Sequence, residues 1–144
     1  MRALAIDLGL RRIGLALSDP TGTIARPWRT LRADGPIEED LRRLLEIVAE
    51  LRREPDGLAA IVVGLPRRLD GSPTELTARA QALAAALETR TALPVILQDE
   101  RLTSREAEAR LAGRERSWRR RKAKIDAAAA AVILQDYLDH RPRP

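Results

Sequence analysis

Ala5-Ile6-Asp7-Leu8-Gly9-Leu10-Arg11-Arg12-Ile13-Gly14-Leu15-Ala16-Leu17-Ser18-Asp19 puts a carboxylate where a strand ordinarily carries an apolar side chain. Arg2 to Leu8 lacks helical periodicity and reads as a short strand. Asp is depleted from strand interiors because it competes for backbone hydrogen bonds and resists burial. Asp7 therefore has two readings. It opens an Asp-x-Gly turn, with Gly9 relieving the bend into a second strand from Arg12 to Ser18, or it is a site residue held at a strand end. Two further acids, Glu100 and Asp126, tip the balance towards a site.

The 144 residues fit one domain, 1–144, large enough for a single core and too short for two nucleotide-clasping lobes. There is no Cys, and the one His, His140, sits near the end beside Arg141, Pro142 and Arg143. Zinc sites and Ser-His-Asp chemistry therefore lack their parts. A metal would have to be held by oxygen, which favours hard cations such as magnesium or manganese. Too few residues precede Asp7 for a signal-peptide core, and no apolar run approaches the roughly twenty residues of a membrane span, so a soluble cytoplasmic protein is expected.

The net charge is +5, which suits a polyanionic partner. Residues 114–124 hold seven basic side chains (Arg114, Arg116, Arg119, Arg120, Arg121, Lys122, Lys124) against Glu115 alone, so the excess is concentrated there. Aromatic residues are scarce, which argues against a base-stacking sheet and for contact mainly with phosphates.

Along the chain, Asp19-Pro20-Thr21-Gly22 supplies a turn, and Thr23 to Leu31 reads as a third strand, with Pro27 pointing to an edge position. Asp34-Gly35-Pro36 opens a helix whose Leu41, Leu44, Leu45, Val48 and Leu51 share a face. Leu58 to Val63 is an unbroken apolar run, expected of a parallel strand covered on both faces. Gly64-Leu65-Pro66 and Arg67-Arg68-Leu69-Asp70-Gly71 then form a polar loop at its carboxyl end, where ligands tend to bind. Arg67 and Arg68 are either phosphate contacts or solvated loop charges. Ser72-Pro73-Thr74-Glu75 reads as a capping box that starts a helix burying Leu76, Ala80, Leu83 and Leu87.

Leu93 to Gln98 reads as another strand, delivering Asp99 and Glu100 at its exit. Thr103-Ser104-Arg105-Glu106 caps a helix immediately after, so Glu100 is pinned between strand and helix, unless these acids merely pair with Arg101 and Arg105. That helix closes at Leu111-Ala112-Gly113. The basic stretch that follows is expected as a mobile loop, and a last helix runs from about Lys122 to Asp139. Asp126 lies on its apolar stripe with Ala130, Ile133 and Tyr137. An acid there needs a cation, a hydrogen bond or a wet cleft, the alternative being an early-turn Asp paired with Lys122. If the strands neighbour one another, Asp7, Glu100 and Asp126 converge. Such a carboxylate cluster with divalent cations clamps a phosphodiester and activates water, whereas without metal the acids repel one another.

These pieces resemble the YqgF/RuvX proteins of the ribonuclease H-like superfamily. The resemblance spans nearly the whole chain. It is carried by residues 7–19, Val62-Val63-Gly64-Leu65-Pro66, Leu69-Asp70-Gly71-Ser72, Leu76-Thr77-Ala78-Arg79-Ala80, Asp99-Glu100-Arg101-Leu102-Thr103-Ser104 and Lys122-Ala123-Lys124-Ile125-Asp126-Ala127-Ala128-Ala129-Ala130. It implies an α/β fold with a mixed five-stranded sheet, three antiparallel strands continued by two parallel ones, and helices on both faces. It also implies that Asp7, Glu100 and Asp126 are the metal-binding catalytic acids, and that the role is trimming the 5′ end of precursor 16S ribosomal RNA. Two departures stand out. Arg68 takes a position where many relatives have Asn, and Ala129 stands where the superfamily's junction resolvases usually carry a second acid.

The expectation is thus a magnesium- or manganese-dependent nuclease acting on RNA, with Arg12, Arg68, Arg119, Arg120, Arg121, Lys122 and Lys124 holding phosphates. Three other readings stand beside it. Resolution of branched DNA would need a homodimer. A non-catalytic, RNA-binding ribosome-assembly factor would need only the basic stretch. An actin-like ATPase would need a second lobe for which there is no room.

Overall fold

The computed structural model describes residues 1–68, 70–99 and 118–141, with the side chains of residues 118–124 outside that description. Strands β1 (Arg2–Leu8), β2 (Arg12–Ser18) and β3 (Ala25–Arg32) form an antiparallel meander. Helix α1 (Ile37–Arg53), strand β4 (Leu58–Leu65), helix α2 (Glu75–Thr91) and strand β5 (Val95–Asp99) follow, and the last described element is helix α3 (Trp118–His140). The five strands lie in the order β3-β2-β1-β4-β5, with β1, β4 and β5 parallel. The mixed sheet inferred from the sequence is therefore the sheet observed.

Alternation along β1 divides the molecule. Leu4, Ile6 and Leu8 face the large core beneath α1 and α2, where they meet Leu44, Leu51, Leu83 and Leu87. Ala3 and Ala5 face the other way, onto Ala130, Ile133, Leu134 and Leu138 of α3. Asp7 continues the parity of Ala3 and Ala5, so it lies on the α3 side of the sheet. The small side chains on that side bring α3 close to the strands. The limit is reached at Gly14, where a Cβ would collide with the carbonyl oxygen of Asp126.

Several expected boundaries shift. β3 runs to Arg32, with a bulge opposite Leu15/Ala16 beside Pro27. The α1 stripe includes Asp40 and Ile47 as buried residues, while Leu41 and Leu45 pack only against its margin. Helix α2 starts at Glu75 with Thr74 as its cap. Thr74 Oγ1 accepts from the Leu76 amide at 3.2 Å, and Thr77 Oγ1 accepts from the Thr74 amide at 2.8 Å. The expected box from Ser72 does not form because the Ser72 hydroxyl and amide both donate to Asp70, at 2.6 and 2.8 Å. Strand β5 begins at Val95, since Leu93 and Pro94 close the exit from α2.

Helix α3 begins at Trp118, earlier than expected, so Arg119, Arg120, Arg121, Lys122 and Lys124 lie on a helix rather than a loop. The expected helix after Thr103, the loop residues 114–117 and Glu100 lie outside the described residues. No described helix is long and apolar enough to cross a membrane.

Candidate metal and nucleic-acid site

The carboxyl ends of β1 and β4, the amino end of β2 and the early turns of α3 meet at one edge of the sheet. Gly9 makes the first turn tight. Its amide donates to the Arg12 carbonyl at 2.8 Å, leaving Leu10 and Arg11 as an exposed two-residue tip. That closure delivers Arg12 onto the α3 side, where its Nε donates to Asp126 Oδ2 at 2.7 Å. Both side chains are mostly covered, 31% and 26% exposed respectively. A cavity of about 290 Å³ opens here, lined by Gly9, Leu10, Arg11, Arg12 and Asp126.

Asp7 stands directly opposite Gly14 in the β1–β2 ladder, and Gly14 touches the Asp126 backbone. A single glycine thus separates the two acids, 119 positions apart in sequence, on one side and at one end of the sheet. Asp7 is half-buried and makes polar contacts of its own. Asp126 lies on the stripe expected of it, with Ala130 and Ile133 buried below it. Its partner is Arg12, across the helix–sheet gap.

Two carboxylates with neither thiol nor imidazole beside them form a hard-oxygen donor set of the kind magnesium and manganese accept. His140 lies at the far end of α3, where its Nδ1 is 2.8 Å from the Asp136 carbonyl oxygen. Among the described residues no three His, Asp or Glu side chains gather round one point. β5 ends at Asp99, one residue before Glu100.

The loop after β4 lies at the same edge, because β4 runs parallel to β1. An isolated bridge between Arg67 and Pro73 closes it, and Arg68 donates to the Pro73 carbonyl at 3.1 Å. Asp70 is held below the usual carboxylate range by hydrogen bonds from the Ser72 side chain and amide, so it stays ionised inside the loop. Arg67 and Arg68 are both exposed. The backbone of residues 119–124 precedes Asp126 on α3 and so approaches the same end of the sheet.

Residues that the sequence did not single out also build the site. Gly14 sets the approach of α3. At the other end of that helix, Gln135 accepts from the Ala25 amide and donates to the Thr23 carbonyl, both at 2.9 Å, and so clips α3 to the start of β3. Side-chain amides that pair with backbone leave no periodic trace, whereas Gly14 stood in plain view inside a strand, a known mark of close backbone approach.

Residues 1–140 match the profile of the family described as "RuvX: Holliday junction resolvase". The chain belongs to the RuvX family. Curated relatives named "Putative pre-16S rRNA nuclease" include one from Pelotomaculum thermopropionicum, 42% identical over 144 residues, all of this chain and 90% of the relative. Another, from Anaeromyxobacter sp. (strain Fw109-5), is 46% identical over 141 residues, 98% of each chain. Among solved structures, Thermus thermophilus RuvC aligns with a TM-score of 0.51 at 16% identity, over 96% of this chain and 94% of its own. A fowlpox virus resolvase in complex with Holliday junction DNA gives 0.57 at 10% identity, over 96% and 97%. These two establish that the RuvX chain shares the RuvC-like, ribonuclease H-like fold.

Proposed function

We propose that residues 1–144 act as one nuclease domain that hydrolyses phosphodiester bonds of RNA in the 5′-end maturation of precursor 16S rRNA, using magnesium or manganese. The observation that carries the reading is the placement of Asp7 and Asp126 on the same side of the same sheet end, across Gly14. The RNA substrate is taken from the names of the curated relatives.

In this reading Asp7, Asp126 and Glu100 hold the cation. Glu100 follows β5 directly in sequence. A divalent cation bound there would neutralise the phosphodiester and make water nucleophilic near neutral pH. The chain's own contribution is placement. The alanine-lined contact of α3 fixes Asp126, the β1–β2 ladder fixes Asp7, and the cavity between Gly9 and Asp126 receives the phosphate. Arg12 neutralises Asp126 in the resting protein and is near enough to take a phosphate oxygen when that pair opens. Arg68, with Arg119, Arg120, Arg121, Lys122 and Lys124, binds flanking phosphates as point charges and forks.

A second reading, cleavage of branched DNA, draws on the family description. Ala129 weighs against it: one turn beyond Asp126 stands this buried alanine, 1% exposed, and no second acid. Incubation of wild type and Asp7→Asn with precursor 16S RNA and with a four-way DNA junction, with and without manganese, tests both. RNA cleavage that needs manganese and Asp7 is expected. Cleavage by Asp7→Asn at the wild-type rate would refute the assignment, and cutting of the junction alone would move the substrate to DNA.

A further inference from the structure

Arg12 and Arg32 stand directly opposite one another where β2 begins and β3 ends. Cross-strand partners point to the same side of a sheet, so Arg32 shares the α3 side with Arg12 and Asp126. Its neighbour Leu31 packs the other way, onto the large core beneath α1 and α2. Like charges placed directly opposite destabilise a ladder. Arg12 is compensated by its 2.7 Å bond to Asp126. Arg32 is not: it is exposed, and among the described residues no carboxylate pairs with it.

The backbone that carries Arg32 is nonetheless held. Arg43 of α1 donates to the Arg32 carbonyl, and the Ala33 amide donates to the Arg11 carbonyl at 2.8 Å. A guanidinium with no acid of its own, on a fixed strand end beside the cavity, serves an anion from outside and costs the fold a repulsion. Charge on an outer strand also prevents pairing with other chains. That task is already met by Pro27, by the bulge beside it, and by Arg26 and Arg29, which stand opposite Leu17 and Leu15 and so charge the other side of the same strand.

We propose that Arg32 is a further substrate-binding residue, which grips the RNA phosphate next to the one at the metal site. Across the sheet it stands two strands from Asp7, about 10 Å at the usual strand spacing, so it reaches beyond the scissile phosphate rather than over it. This inference rests on the reading of the chain as an RNA nuclease, but its first test does not require cleavage.

Anisotropy titrations of the full-length protein with a labelled oligouridine RNA, over a range of salt and without divalent cations, measure the contact. Each phosphate contact on a single strand contributes about 0.7 to the slope of log affinity against log salt. Arg32→Gln should lower the slope by about that amount and weaken binding roughly tenfold. Arg29→Gln removes the same charge from the same strand on the other side of the sheet, and should keep the wild-type slope. Arg32→Lys should keep the slope and lose part of the affinity, since an ammonium offers no fork. Urea unfolding should find Arg32→Gln at least as stable as wild type, because the repulsion with Arg12 is gone. In the manganese-dependent cleavage assay Arg32→Gln should raise KM about tenfold and leave kcat unchanged, as loss of uniform binding does. An unchanged slope in Arg32→Gln would overturn the proposal, as would an equal fall in Arg29→Gln, which is the result for non-specific charge. Lower stability with RNA binding intact would overturn it by making Arg32 structural, and a fall in kcat with KM unchanged by placing it on the scissile phosphate. A protein that binds RNA through Arg32 yet cuts none would refute the nuclease reading and leave this contact standing.

Discussion

Replacing Arg12 by Ala should tighten binding of manganese while slowing cleavage of RNA. In the resting structure the guanidinium occupies Asp126 through a 2.7 Å charged hydrogen bond. A cation that takes this carboxylate must first displace Arg12. Exposed ion pairs contribute about 0–1 kcal/mol and hydrogen bonds to charged groups about 1.5–3, so a pair some two-thirds covered should contribute roughly 1.5 kcal/mol. Every 1.4 kcal/mol is a factor of ten in affinity, so manganese should bind Arg12→Ala about tenfold more tightly. Calorimetric titration with manganese, without RNA, measures this, and Asp126→Asn serves as the variant in which binding is largely lost. Thermal unfolding of metal-free Arg12→Ala should show a loss of similar size, since the same pair then joins α3 to β2. Cleavage should nevertheless fall, because the guanidinium that a cation would release lines the cavity and is placed to take a phosphate. Unchanged or weaker manganese binding in Arg12→Ala, with Asp126→Asn still defective, would refute the reasoning: Arg12 would then position the ligand rather than compete for it.

Three further outcomes follow from the packing and the turns. Gly14→Ala should destabilise the fold by about 3 kcal/mol or displace α3, because its Cβ would meet backbone rather than a yielding side chain; denaturant unfolding and manganese affinity should both suffer. Asp40 is 1% exposed and lies 3.4 Å from both Arg43 and Arg79, tying α1 to α2. Asp40→Ala should cost about 2 kcal/mol in urea unfolding, less than a sealed pair, because both arginines are partly exposed and can turn to water. Asp19 accepts the Ile24 and Thr23 amides at 2.8 Å each, which holds its carboxyl far below the usual range of 3.8. A lowered folded pKa gives stability that is present above 3.8 and lost as pH falls through the folded value, so Asp19→Ala should be less stable at neutral pH and flatter below pH 3.8 in acid titrations.

The sheet was legible because its strands differ in kind: an alternating pair, an edge strand marked by Pro27, and the continuous apolar run of β4. Asp126 was legible as an acid on an apolar stripe. The same test applied to α1 finds Asp40 four residues before Leu44, yet the amphipathic count passed over it in favour of Leu41 and Leu45. Those two leucines lie one position round the helix, half-buried at the margin of the core, while Asp40 is buried against Arg43 and Arg79. The start of α3 was placed late because like charges oppose helix formation locally, whereas a long helix anchored by Ile133, Leu134 and Leu138 carries its charged first turns beyond the sheet.

The alanines of α3 link stability to chemistry. A helix of leucines on this face would stand further from the sheet, and Asp126 would recede from Asp7 and from the reach of Arg12. Ala3, Ala5 and Ala16 opposite Ala127 and Ala130 give up apolar area, roughly 0.8 kcal/mol for each buried methylene forgone. In return the backbones come close enough that only glycine fits at position 14. The large core on the other side of the sheet compensates, with Leu4, Ile6, Leu8, Ile13 and Leu15 buried under α1 and α2. Enlarging that core should therefore stabilise the protein without moving the acids, whereas Ala130→Leu should separate α3 from the sheet and weaken manganese binding even where the fold survives. Manganese affinity that stays at the wild-type value in a folded Ala130→Leu protein would show that the helix–sheet spacing does not set the site.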